Sequence, residues 1–413
     1  VNFTDQLLSN AGVYEKVDTV LGPRSLTSHY KYSDLLRTYL QMILCGGVCG
    51  EDVTIHVRKE LEQLTDFQVC PADTLLGMQK ELATSKETFV SKKGINHELN
   101  SNLKMNTLMV NLLLTTKQLS THKKDYIFDY DNQFIPTAKY DSKRSYNKAE
   151  GYFPGIASID NHPVYIGNRN GNSNVKYKQE ETLTRAYTVL ADAGIKVKHG
   201  RMDCGSFTQE VVKVVEANSD HFYIRAQRCT NLYQQFKEVD HWETVEIGFK
   251  KYEVSPIAYT PFRKNKEKRK EYRYVVTRDP KEKGQIDLLT YTAFKYRAIM
   301  TNNTTLSDLE VINFYNQRGE SERLFDEMNN DFLWKKMPFS FLQQNTVFLI
   351  LTSICRNLFH FPTSLISKKR DFIQSSFRLN KFIFRFMIVP AKWIKQGRQR
   401  VLKLFSSIKI PLL

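Results

Sequence analysis

The fold turns on the stretch Tyr126-Ile127-Phe128-Asp129-Tyr130-Asp131-Asn132-Gln133 of this 413-residue chain. Aromatic and β-branched side chains open it as a strand, and the strand ends in two carboxylates placed two apart. Alternation along a strand puts both on one face. Like charges that close are unfavourable unless a cation lies between them, and a divalent metal is the natural resolution. Turns after strands are also rich in Asp, so the pair gains meaning only from its surroundings.

Working outward from 126–130, further strands are expected at 152–158, 164–167, 196–202 and 221–226. Helices are expected at 180–193 and 207–217, the second opened by Ser206 with Gln209 three residues on, a capping-box pattern. The resulting order, three strands and then helix, strand, helix, strand, matches a ribonuclease H-like mixed sheet, although other α/β domains share parts of it. In Arg201-Met202-Asp203-Cys204-Gly205-Ser206-Phe207 a further carboxylate stands at a strand end just before a helix. Strand ends are where α/β folds place chemistry, and a capping role for Asp203 is the plainer alternative.

From 242 to 301 the texture is β-rich, with strands expected at 244–249, 252–259, 272–277 and 296–301. Between two of them lies the run Arg263-Lys264-Asn265-Lys266-Glu267-Lys268-Arg269-Lys270. It reads as an exposed hairpin tip, either solvated or touching phosphates through Lys264, Lys266, Lys268, Arg269 and Lys270. A helix then starts at Ser307, whose partner Glu310 completes a capping box, and runs towards Asn330. On it Tyr315, Arg318 and Glu322 stand at i, i+3 and i+7 and share a face. That stripe is either a salt-bridged surface or a metal-binding Glu beside an Arg and a Tyr that grip phosphate oxygens.

The first hundred or so residues read as a separate all-helical unit, with Leu35, Leu36, Leu40, Ile43 and Leu44 near a helical period. Gly46 and Gly47 break one helix, and Asp73 or Thr74 caps another. Helix-turn-helix DNA reading and a plain helical bundle both fit. The segment 339–361 holds Gln343, Gln344, Asn345, Arg356 and Asn357, so its apolar centre is too short to cross a membrane and is expected to be a buried helix. The tail from Lys368 interleaves basic residues with Phe372, Phe377, Phe382, Phe384, Phe386 and Trp393. This suits nucleic acid, an amphipathic surface helix or a dimer contact.

The 60 Lys and Arg against 44 Asp and Glu give a formal charge of +16. That surplus favours nucleic acid over an anionic membrane surface as partner. Six scattered cysteines suit a reducing cytoplasm. Cys45 and Cys49 lack a second ligand pair for zinc and read as small residues in a buried helix turn. Residues 1–9 lack the apolar segment of a secretory signal, so the protein is expected to stay inside the cell.

Taken together, these elements resemble a bacterial insertion-sequence DDE transposase, of the insertion-sequence family numbered thirteen-eighty. The resemblance rests on Asp-x-Asp, Gly151-Tyr152-Phe153-Pro154, the Arg201 to Phe207 element, Thr301-Asn302, and Tyr315, Arg318 and Glu322 in order. It implies that Asp131, Asp203 and Glu322 are the catalytic, metal-holding carboxylates, with Asp129 in a supporting role at most. It also implies two magnesium ions, with manganese able to substitute, in a site that stabilises attacking and leaving oxygens of phosphoryl transfer. Tyr315 and Arg318 would hold DNA. The implied partners are double-stranded DNA, as terminal inverted repeats and target, and a second copy in a homodimeric synaptic complex, with no membrane. The implied setting is the bacterial cytoplasm at the nucleoid.

The corresponding architecture is α/β: a ribonuclease H-like core at 116–235 and 303–362, a β-rich insertion at 236–302, a helical DNA-binding unit at 1–115 and a basic aromatic tail at 363–413. Related transposases carry a Lys seven residues after the Glu, where this chain has Asn329. That phosphate contact is then either lost or supplied by Lys335 or Lys336. A nuclease that only hydrolyses, or a non-catalytic DNA-binding descendant, would share most of these features.

Overall fold

The computed structural model describes residues 2–62, 67–91, 94–262, 270–281, 285–286, 288–289, 291–369, 373–388 and 391–405. One sheet dominates it. Its strands are β1 (Glu87–Val90), β2 (Asn96–Asn100), β3 (Tyr126–Asn132), β4 (Gly155–Ile159), β5 (His162–Arg169), β6 (Val197–Met202), β7 (Ser219–Arg225), β8 (Glu243–Ile247), β9 (Lys250–Tyr259), β10 (Tyr272–Pro280) and β11 (Phe294–Thr301). They lie in the order β1-β2-β5-β4-β3-β6-β7-β11-β10-β9-β8. The centre is mixed: β3 runs antiparallel to β4 and parallel to β6, and β6 is parallel to β7. The protein is therefore a mixed α/β molecule built on a large sheet.

The helices are α1 (Asn2–Asn10), α2 (Val13–Leu21), α3 (Tyr32–Leu44), α4 (Ala72–Glu81), α5 (Leu103–Thr115), α6 (Gln179–Asp192), α7 (Gln209–Asn218), α8 (Thr230–Lys237), α9 (Asp308–Asn316), α10 (Glu320–Asn330) and α11 (Leu342–Ser367). On one sheet face α6 and α7 bury Leu183, Tyr187, Val211 and Val215 against Phe128, Tyr130, Met202 and Phe222. On the opposite face α9 buries Val311, Ile312 and Tyr315 against Tyr223, Val275 and Ile299. Beside it, α10 and α11 close over Ile156 and Ile166. The helix expected within 339–361 is α11, buried along most of its length. Among the described residues no helix is long and apolar enough to cross a membrane.

Several expectations are corrected. The first hundred residues are not all helical, because β1 and β2 pair as a hairpin and add to the sheet through Leu99 and Asn100 opposite Arg169 and Asn168. Nor is their core separate: Leu36, Leu40 and Val53 share one continuous buried cluster with Phe348 and Leu351 of α11. The β-rich segment likewise continues the main sheet, β11 pairing with β7 through Ile299 opposite Arg225. Its strands are so apolar on one face that joining an existing edge buries more than a separate module would.

Local signals shift by a residue or two. Thr208 caps α7, its hydroxyl accepting from the Val211 amide, while Ser206 lies in the short 3₁₀ turn before it. Pro71 stands at the cap of α4, leaving Asp73 in the first turn. Cys45 and Cys49 are exposed rather than buried. The capping box at Ser307 and Glu310 is present, but the helix it opens does not run unbroken to Asn330: a 3₁₀ turn, Gln317–Gly319, divides α9 from α10.

Candidate active site

Three parallel strands, β3, β6 and β7, end side by side. Tyr130 stands opposite Met202, and Met202 opposite Ile224. The next residue of each strand is Asp131, Asp203 and Arg225, so these three form a row at the carboxyl ends of neighbouring parallel strands, spaced by about 4.8 Å per strand. The row continues into Ile156 and Ile166 on one side and into Ile299 and Val275 on the other. Charge is thus concentrated at the middle of an otherwise apolar line, where the face of the sheet is roofed by α9 and the turn after it.

Each carboxylate of the Asp-x-Asp has its own arginine. Asp129 is buried and takes two hydrogen bonds from Arg201, Nε to Oδ1 at 2.7 Å and Nη2 to Oδ2 at 2.6 Å. Arg201 also donates to the carbonyl of Phe314 at 2.8 Å, tying α9 to the sheet. Asp131 takes a hydrogen bond from Arg318 Nη1 on Oδ2 at 2.7 Å, and its Oδ1 accepts the Asn132 amide at 2.8 Å. Guanidinium groups thus neutralise both carboxylates of the pair, where the sequence points to a divalent metal as the cation.

Asp203 is held by its own turn. Its Oδ1 accepts the Gly205 amide at 2.9 Å. A Cβ at Gly205 would lie 3.0 Å from that oxygen and 3.2 Å from Val175, so a side chain there would crowd the carboxylate. Burial first, and then the charge of Asp131, push the Asp203 carboxyl above its ordinary range, while Arg318 and the amides of Gly205 and Ser206 pull the other way. For Arg318, burial lowers the guanidinium, but Asp131, Tyr315 and Asp203 together outweigh it and leave the group above its usual value. Tyr315 is buried, and its hydroxyl donates to the Met202 carbonyl at 3.3 Å, which commits it to the backbone beside Asp203.

Glu322 lies elsewhere. It is exposed on α10 and lines a cavity of about 1400 Å³ with Arg323, Asp326, Glu327, Arg356 and His360, a cavity that neither Asp131 nor Asp203 reaches. The reason is the turn at Gln317–Gly319. A 3₁₀ residue rotates about 20° further than an α-helical one, so three of them swing the following side chains by roughly 60° off the stripe that a straight helix would give. Among the described residues, no group of three or more acidic, histidine or cysteine side chains is drawn together to hold a metal.

Of the basic run, Lys264, Lys266, Lys268 and Arg269 lie outside the described residues. Lys270 is described, and it pairs with Glu216 at 2.7 Å. Asn302 is a brace, accepting from the Phe222 amide at 2.9 Å and donating to the Asp220 carbonyl at 3.1 Å. Lys335 and Lys336 are exposed in a 3₁₀ turn after α10. The tail splits, with Phe377 and Phe382 in the core and Phe384 and Trp393 exposed, while Phe372 lies outside the described residues.

The family described as transposase DDE domain group 1 matches residues 5–410. The chain belongs to that family. This DDE transposase is accordingly an enzyme of DNA transposition, one that cleaves and joins DNA. No curated protein matches its sequence. A solved structure, the cryo-EM structure of a piggyBac transposase synaptic complex with hairpin DNA, is similar over 92% of this chain and 77% of that one, with 8% identity and a TM-score of 0.42.

For the divalent ion that such an enzyme implies, the donor set fits in part. Asp131 and Asp203 are neighbouring hard oxygen donors, and the upward push that Asp131 gives Asp203 is the repulsion a cation between them would relieve. Glu322, in this conformation, is not with them.

Proposed function

We propose that this transposase is of the bacterial insertion-sequence type, similar to the family numbered thirteen-eighty. It cuts the terminal inverted repeats of its element and joins the freed 3′ ends to target DNA as a homodimer in the nucleoid. Its core is of ribonuclease H-like type, formed by β5-β4-β3-β6-β7 with α6, α7 and α10, and residues 1–115, packed onto that core, serve in DNA reading. The observation that carries this reading is the adjacency of Asp131 and Asp203 at the ends of two parallel strands, with Arg318 reaching down from the helix roof to Asp131.

Asp131 and Asp203 would hold divalent magnesium, which when bound supplies charge stabilisation for attacking and leaving oxygens. Glu322 completes the set. It lies four residues beyond Arg318, about 6 Å along a helix axis, so straightening the turn at Gln317–Gly319 would bring it back toward the carboxylates. Arg318 then exchanges Asp131 for a DNA phosphate, and Tyr315 orients the Met202–Asp203 backbone. The basic run at 264–270 adds phosphate contacts on the outer edge.

The test is incubation of the purified full chain with its own element's ends, a target plasmid and magnesium. Covalently joined products support this reading. Cleaved but never joined ends would leave a hydrolytic nuclease in its place.

A further inference from the structure

We infer that Arg225 and the cavity behind it form a phosphate subsite for the DNA strand beside the two carboxylates, an inference that rests on the functional reading above. Arg225 is the third member of the row at the strand ends, one strand over from Asp203. Its environment is unlike that of its neighbours in the row. It is half-buried, yet among the described residues its side chain has no ion pair and no hydrogen-bond partner. Arg201 and Arg318 nearby are both paired with carboxylates. A partly desolvated guanidinium left without an anion is costly, so such a group marks where an anion from outside belongs.

The cavity supports this assignment. It has a volume of about 190 Å³ between β7, β10, β11 and α9, and its lining includes no carboxylate. Ile299 and Ile312 form an apolar wall, against which a charge interaction is stronger than in open water. Asn316 adds a hydrogen-bonding group at its border, and the cavity's other cation, Arg297, is already engaged by Asp279 at 2.7 Å. Tyr315 borders the cavity and also feels the charges of Arg318, Arg225 and Asp203, so the subsite and the carboxylates share one wall. A forked guanidinium there can hold two oxygens of one phosphate while the adjoining phosphodiester lies over Asp203. The ligand class is a DNA backbone phosphate, read without regard to base.

The test uses the full-length protein with two duplexes of equal length, one bearing the element's end and one unrelated. The affinity of the wild type, Arg225→Gln and Arg225→Lys is measured from low to moderate salt. Arg225→Gln is expected to weaken binding to both duplexes about tenfold and to lower the slope of log affinity against log salt by about 0.9, one phosphate's worth. Arg225→Lys is expected to keep the slope and lose part of the affinity, since it keeps the charge and loses the fork. A thermal melt of each variant separates misfolding from a weakened grip on phosphate, and Arg225→Lys alone decides if Arg225→Gln does not fold. Wild-type affinity and slope in the variants would overturn the inference. So would a loss confined to the element's end with no change of slope, since that is base reading. The salt slope is a binding readout, so it stands or falls separately from whether the wild type cuts and joins DNA.

Discussion

Arg318 donates to Asp131 at 2.7 Å, so the carboxylate expected to take a divalent cation already carries a protein cation. Both bodies cannot hold the same oxygen. On the proposed reading Arg318 would compete with metal in the DNA-free enzyme, and binding of a phosphate by Arg318 would release Asp131. Arg318→Gln is expected to raise the affinity of DNA-free protein for manganese about tenfold, the order of one partly screened charge pair. It should also depress cleavage about a hundredfold with magnesium and manganese alike, because misplaced DNA is not repaired by changing the ion. Unchanged manganese affinity, measured by titration calorimetry, would contradict the competition.

Asp129 is expected to matter for stability far more than for chemistry. Removing its carboxylate leaves Arg201 buried without its partner, which costs about 3–5 kcal/mol in such settings. Asp129→Ala should lose stability on that scale in denaturant titration, while retaining cleavage at temperatures where it stays folded. A well-folded but inactive Asp129→Ala would move this residue into the catalytic set.

For Asp203 the folded protein holds the carboxyl proton more tightly than the unfolded chain does, through burial and the charge of Asp131. Ionisation then works against folding: the penalty is absent below the unfolded carboxylate range near pH 4 and present once the pH exceeds the raised folded value. In chelator-containing buffer Asp203→Asn should melt above the wild type at pH 7, with the gain vanishing as the pH falls below about 4. A gain that persists in acid would mean that charge is not its source.

The basic run between β9 and β10 is expected to contribute to the salt dependence of DNA binding. Neutralising Lys264, Lys266, Lys268, Arg269 and Lys270 together should flatten the slope by up to about 0.9 for each phosphate the run had neutralised. Lys270 should contribute least, because Glu216 already pairs with it. An unchanged slope in a filter-binding series would mean that the run stays in solvent.

Much of the fold is legible in the sequence because the central strands are strongly apolar and end in chemistry. Phe128 and Tyr130, Met202, and Phe222 and Ile224 are all fully buried, and Asp131 and Asp203 follow directly from them. The hairpin β1–β2 is hard to read because its segments, Glu-Thr-Phe-Val at the sheet edge and Asn-His-Glu-Leu-Asn beside it, are short and polar. The pairing of Asp129 with Arg201 depends on parallel register, which spacing in one strand cannot give. The break at Gln317–Gly319 has a single local sign, Gly319 inside a helical pattern, and it is what separates Glu322 from the face shared by Tyr315 and Arg318. Arg225 is hidden in the sequence for the same reason as Arg201: its importance comes from the strand beside it.

The central claim is that Asp131 and Asp203 together form the cutting site, and end cleavage by Asp131→Asn and Asp203→Asn tests it most directly. Each variant keeps the size of the side chain and leaves the remaining DNA contacts in place. With folded protein, magnesium and a labelled element-end duplex, both should bind the duplex nearly as well as the wild type and release no 3′ end. Cleavage at the wild-type rate by either variant would contradict the account and remove that residue from the site.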